Sequence, residues 1–212
     1  MPLYTPDHFR ADRATAHALI AAHPLGLVFS VASADAPPQV SPVPVLVDAD
    51  AGELGEVRFH LARANPQTGQ LLEDERATFV FQASSSYVSP DWYVDTRLPP
   101  TFNYEVVVAH GRSSALDDKA VRTLLDDLSR DQERRLDKVP WTSEKMGEDR
   151  VRGLMRGIVG FRFTIERLEA KSKLGQNRAP ADRAALRKAL AAGATPGSRD
   201  LAARMEAVEG ET

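Results

Sequence analysis

The sequence contains no cysteine, and that one absence excludes a disulfide framework, a thiolate zinc site and a cysteine nucleophile together. It also fits a reducing compartment. No stretch approaches the roughly 20 consecutive apolar residues of a membrane-spanning helix. Asp7, His8, Arg10, Asp12 and Arg13 place charge in the opening segment, where a secretory signal needs an apolar run. A cytoplasmic location with no membrane contact is therefore expected. Glycine-rich phosphate loops, a nucleophile-elbow serine and a dinucleotide fingerprint are also missing. The five histidines (His8, His17, His23, His60, His110) include no pair at ligand spacing, so no metal site is expected.

A net positive charge is missing as well. The net charge of −3 is a poor footprint for a chain that must neutralise many nucleic-acid phosphates. Its distribution is uneven: residues 150–188 hold eleven Lys or Arg against three acids, Glu166, Glu169 and Asp182. Any direct DNA contact would fall there, although solvated surface explains the same charges.

What is present suits a folded core, since 42% of the 212 residues are hydrophobic. Thr5-Pro6-Asp7 reads as a helix start, followed by Ala16, Leu19 and Ile20 on one stripe. Strands are expected at 27–32, 40–47, 56–62, 77–83, 102–116 and 159–168. Pro42 and Pro44 push the second of these toward an edge or an irregular strand. Helices are expected after Asp117, around Val151–Ile158 and over Asp182–Ala192. Strands interrupted by helices without βαβ regularity favour a mainly β fold, an antiparallel barrel with added helices. The reading is one domain over residues 1–192 with a helical insertion near 117–157, then a tail over 193–212, helical from its Leu201, Met205 and Val208.

Three segments could carry chemistry. In the first, a strand runs through His60, Ala62, Arg63, Ala64, Asn65 and Gln67 into a short helix, whose first amides and the Arg63 guanidinium suit a phosphate. From local chemistry alone, an ordinary capped helix is the better explanation. The second runs from Ser84 to Tyr104 and holds Tyr87, Trp92, Tyr93 and Asn103; its rings could stack on a planar ligand, meet a second subunit or pack the loop. The third, Lys171–Arg178, crowds Lys173, Gln176, Asn177 and Arg178 together as donors for phosphate or a carbonyl-rich ring edge, or as a solvated loop.

Taken together and in this order, these segments resemble the PaiB-like family of FMN-binding negative transcriptional regulators. The resemblance rests on His60-Leu61-Ala62-Arg63-Ala64-Asn65-Pro66-Gln67, on Tyr87-Val88-Ser89-Pro90-Asp91-Trp92-Tyr93, on Pro100-Thr101-Phe102-Asn103-Tyr104 and on Lys171–Arg178. It spans residues 3–192. It implies an FMN-binding split β-barrel related to pyridoxamine-phosphate oxidases, a homodimer holding flavin between its subunits, and negative control of transcription. The cofactor contacts it implies are His60, Ala62, Arg63, Ala64, Asn65, Gln67, Tyr87, Trp92, Asn103, Lys173, Gln176, Asn177 and Arg178. The phosphate is expected against Arg63–Gln67 with help from Lys173 or Arg178. This chain departs from the family pattern at Pro42, where a histidine is usual, and at Phe102, Ser172 and Gly175.

Other functions stay open on the residues alone. A flavin-dependent oxidoreductase is one, with cofactor chemistry and no catalytic group that can be named. A haem-binding or ligand-free interaction module is another, with His60 and His110 as the barrel histidines.

Overall fold

The structure, a computed structural model, describes residues 3–33, 35–193 and 197–210. It contains strands β1 (Arg10–Ala11), β2 (Leu25–Ser30), β3 (Gln39–Asp48), β4 (Glu56–Ala62), β5 (Arg76–Val88), β6 (Thr101–Ala115) and β7 (Ile158–Lys173). Its helices are α1 (Arg13–Ala22), α2 (Pro66–Glu73), α3 (Asp118–Glu133), α4 (Glu148–Met155), α5 (Pro180–Ala192) and α6 (Ser198–Gly210). The strand order β7-β4-β3-β2-β5-β6 closes through a β6–β7 pairing into a six-stranded antiparallel barrel, and β1 adds to β7. This is the mainly β architecture with added helices that the strand pattern favours.

The described residues form two compact units. The first comprises Ile20–Phe81 and Val108–Leu168. Its core follows from alternation: Val57, Phe59 and Leu61 of β4 turn inward while Arg58 and His60 turn outward. Phe59, Phe79, Phe81, Phe161 and Phe163 are all buried, with Phe59–Phe161 stacked at 5.2 Å and Phe79–Phe163 edge-to-face at 5.0 Å. Closure needs Gly111 on β6, where a Cβ would stand 2.0 Å from the Thr164 carbonyl oxygen of β7.

The prolines of β3 find a specific solution. β3 lies between β2 and β4, yet Pro42 and Pro44 pair with Leu27 and Leu25 of β2, whereas the register with β4 begins only at Val45. Each proline therefore sits where one flank needs no ladder donor, and β3 is an interior strand with a locally one-sided stretch.

The second unit comprises the described parts of Met1–Leu19, Gln82–Val107 and Glu169–Thr212. Its core is Val88, Tyr93, Leu174, Leu186, Leu190, Leu201, Ala202 and Met205, so α5 and α6 pack over their strand partners. Thr195 and Pro196, where the sequence places the start of the tail, lie outside the described residues. The first helix also begins later than Thr5-Pro6-Asp7 suggests: those residues lead into a 3₁₀ turn, and the Asp12 side chain caps α1 through the Thr15 amide at 2.8 Å.

Candidate functional site

The turn from β4 into α2 is held from several directions. Asn65 caps α2: its side-chain oxygen accepts from the Gln67 amide at 3.0 Å, and its Nδ2 donates to Ser41 Oγ at 3.0 Å. The Arg63 backbone amide donates to the Gly157 carbonyl at 2.8 Å. Its guanidinium donates through Nε to the Arg156 carbonyl and through Nη2 to the Ile158 carbonyl, each at 3.0 Å. Those bonds fix the plane of an exposed guanidinium and leave Nη1 unspent.

Gln67 is placed differently from its neighbours. Its side chain is 1% exposed, and Nε2 donates to the Val28 carbonyl at 3.1 Å, Ser30 Oγ at 2.9 Å and the Gln39 carbonyl at 3.2 Å. Ser30 passes the chain on, donating to Gln70 Oε1 at 2.5 Å. The Gln67 amide thus clamps β2 and β3, and its donors are not turned to an outside anion. Ala62 and Ala64 are exposed beside Arg63.

His60 points outward from β4 into a cavity of about 540 Å³ between the barrel wall and the α3–α4 segment, within the first unit. Pro44, Leu125, Leu128, Met146, Val151, Leu154, Ile158 and Trp141 make its walls mainly apolar. At the rim, Arg122 pairs with Asp126 at 3.0 Å and Glu148 at 3.1 Å, and Ser143 Oγ donates to Asp126 at 2.6 Å. Burial alone pushes the Asp126 carboxyl up, but Ser143 and Arg122 together hold it below its ordinary value. His60 Nδ1 is buried without a hydrogen-bond partner among the described residues, and burial pushes the imidazole below its ordinary pKa.

The remaining expected contacts lie in the second unit. Tyr87 meets Phe102 edge-to-face at 5.8 Å and Trp92 at 6.4 Å. Asn103 is buried, with Nδ2 unpaired among the described residues. Gln176 is spent on its own turn, accepting from the Leu174 amide at 2.8 Å and donating to the Ser172 carbonyl at 2.7 Å. Lys173 donates to Thr101 Oγ1 and the Phe102 carbonyl, Asn177 is exposed, and Arg178 lies over the Tyr93 ring at 5.6 Å. Burial pushes the Lys173 ammonium below its ordinary pKa, as do the charges of Lys171 and Arg178.

The expected residues therefore fall into two groups, one in each unit. The sequence reading missed the walls supplied by α3 and α4. A signal existed: Val121, Leu124 and Leu128 of α3 are buried, and the adjacent Leu125 widens that stripe beyond one contact face.

The chain is 30% identical over 148 residues to "Protease synthase and sporulation protein PAI 2" of Bacillus subtilis (strain 168), covering 69% of this chain and 70% of that protein. Among solved structures it resembles a conserved hypothetical protein of Mycobacterium tuberculosis with a TM-score of 0.60 at 14% identity, covering 84% of this chain and 94% of the other. It also resembles an "FAD and Heme binding protein" of Mycobacterium smegmatis with a TM-score of 0.56 at 18% identity, covering 77% and 73% of the two chains. With residues 3–167 matched, the chain belongs to the family described as "Putative FMN-binding domain" and is a flavin-binding split-barrel protein whose cofactor is FMN.

Proposed function

We propose that the chain is a dimeric FMN-binding negative regulator of transcription, with the flavin ring seated in the His60 cavity and its phosphate at Arg63. The observation that carries the ring site is His60 Nδ1, a buried polar atom without a partner among the described residues in an otherwise mainly apolar cavity. Such a cavity fits a planar, mostly apolar ring with a polar edge, and its volume lies within the roughly 300–1,000 Å³ of small-molecule sites. Arg63 fits the phosphate, because two carbonyls orient it and no carboxylate is among its partners.

Bound FMN supplies one- and two-electron redox capacity. The chain binds and orients it: His60 offers one hydrogen bond, the walls from Leu125, Leu128 and Ile158 exclude water, and Arg63 anchors the anion. A second subunit would cover the outer face of β2 and β3, where Leu25 is 66% and Val40 46% exposed beside Pro42 and Pro44. The transcriptional effect is read as indirect. Within residues 150–188, Arg152, Arg162 and Arg187 are already paired with Asp149, Glu56 and Glu206, and the chain is acidic overall.

The same histidine favours a second reading, in which that cavity holds haem. Absorbance of freshly purified protein separates the two: a flavin spectrum lost in Leu128→Trp supports the proposal, and a haem band lost in His60→Leu would replace it.

A further inference from the structure

Lys171 and Lys173 stand on one side of β7, two residues apart. Both ammonium groups lie over the ring of Tyr104, 5.4 and 5.9 Å from its centroid. Lys171 is only 9% exposed, and its hydrogen bond goes to the Tyr4 carbonyl at 3.2 Å. Lys173 donates to Thr101 Oγ1 and to the Phe102 carbonyl at 2.9 Å. Of three N–H donors each, Lys171 retains two and Lys173 one.

Among the described residues, counter-charge is what this cluster lacks. Glu169, on the same strand, turns its carboxylate to the Leu3 amide at 3.2 Å. Glu105 is taken by Arg204 at 3.0 Å and by Ser172 at 2.7 Å. Neither lysine nor Arg178, whose charge also reaches Lys173, pairs with a carboxylate among the described residues. A buried ammonium without an anion is costly, and ring faces offset only part of that cost. Beside the cluster, Phe102 is 56% and Tyr87 44% exposed, an apolar shelf at the mouth of the cationic site.

We propose that Lys171, Lys173 and Arg178 form a receiving site for a phosphate monoester, with the organic group of the ester lying on Phe102 and Tyr87. A dianion matches the converging charges, and the unspent N–H donors match its three terminal oxygens. The ester is a metabolite other than the flavin, because the FMN reading on which this rests already places the flavin phosphate at Arg63.

Calorimetric titration with phenyl phosphate tests the site, and the FMN-to-riboflavin affinity ratio separates it from the flavin phosphate. Lys171→Met/Lys173→Gln should weaken phenyl phosphate by about tenfold or more, the loss of at least one charged hydrogen bond. Lys173→Arg should retain most binding. If the double variant fails to fold, Lys173→Gln alone should still weaken the ester by several-fold (~5). Loss of phenyl phosphate binding with an unchanged flavin ratio supports the proposal, whereas a collapsed flavin ratio would mean that the cluster holds the FMN phosphate and would overturn it. Unchanged binding of both ligands in these variants overturns the proposal, and does so without touching the Arg63 reading, which Arg63→Ala probes by itself.

Discussion

Arg204 of α6 grips the fully buried Glu105 of β6 at two points, Nε to Oε2 at 3.0 Å and Nη2 to Oε1 at 3.1 Å. Ser172 Oγ donates to the same carboxylate at 2.7 Å and completes a buried polar network. Removing the cation strands a charge inside the second unit. Arg204→Met should lower unfolding free energy by about 3 kcal/mol. Glu105→Leu/Arg204→Met should recover much of that loss in urea denaturation, and an additive double loss would show that the pair is not coupled.

Gln67 separates stability from binding. Because its amide clamps β2 and β3 and Ser30 relays it to Gln70, Gln67→Ala should cost about 1–3 kcal/mol of stability by leaving buried partners unsatisfied. FMN affinity of the folded fraction should change little. A large affinity loss with unchanged melting would place the side chain at the ligand.

The β6–β7 approach at Gly111 admits no side chain, since the Cβ would meet backbone that cannot rotate away. Gly111→Ala should destabilise by about 1–3 kcal/mol or more in thermal unfolding. A neutral outcome would mean that the strands separate there easily.

His60 gives a pH dependence. Its folded-state pKa is depressed by burial, so the unfolded chain binds the proton more readily. The neutral histidine contributes stability above its unfolded pKa of about 6.5, and that contribution is lost as pH falls below it. Urea midpoints from pH 8 to 5 should fall more in the parent than in His60→Gln. Parallel curves would contradict this.

Much of the fold was legible because alternation survives in the strands: the segment Glu56–Ala62 coincides with β4, and the valine-rich run ending at Gly111 lies in β6. Polar strand ends were not. Ser84-Ser85-Ser86 reads as loop, yet β5 continues to Val88, and Lys171-Ser172-Lys173 reads as loop, yet β7 continues through it. Sheet pairing supplies partners that local propensity does not foresee. At the site, the Asn65 cap was visible from its position before Pro66. The inward turn of Gln67 depends on acceptors 28 to 39 residues away, and the cavity walls come from α3 and α4, so neither leaves a mark near His60.

We place the phosphate of FMN at Arg63, beside a ring site built around His60. Fluorescence quenching by FMN and by riboflavin, in the parent and in Arg63→Ala, tests it most directly. The substitution should weaken FMN by about tenfold or more, for one charged hydrogen bond, while riboflavin binding barely moves. Equal losses for both ligands, or FMN binding unaffected by Arg63→Ala, would contradict it.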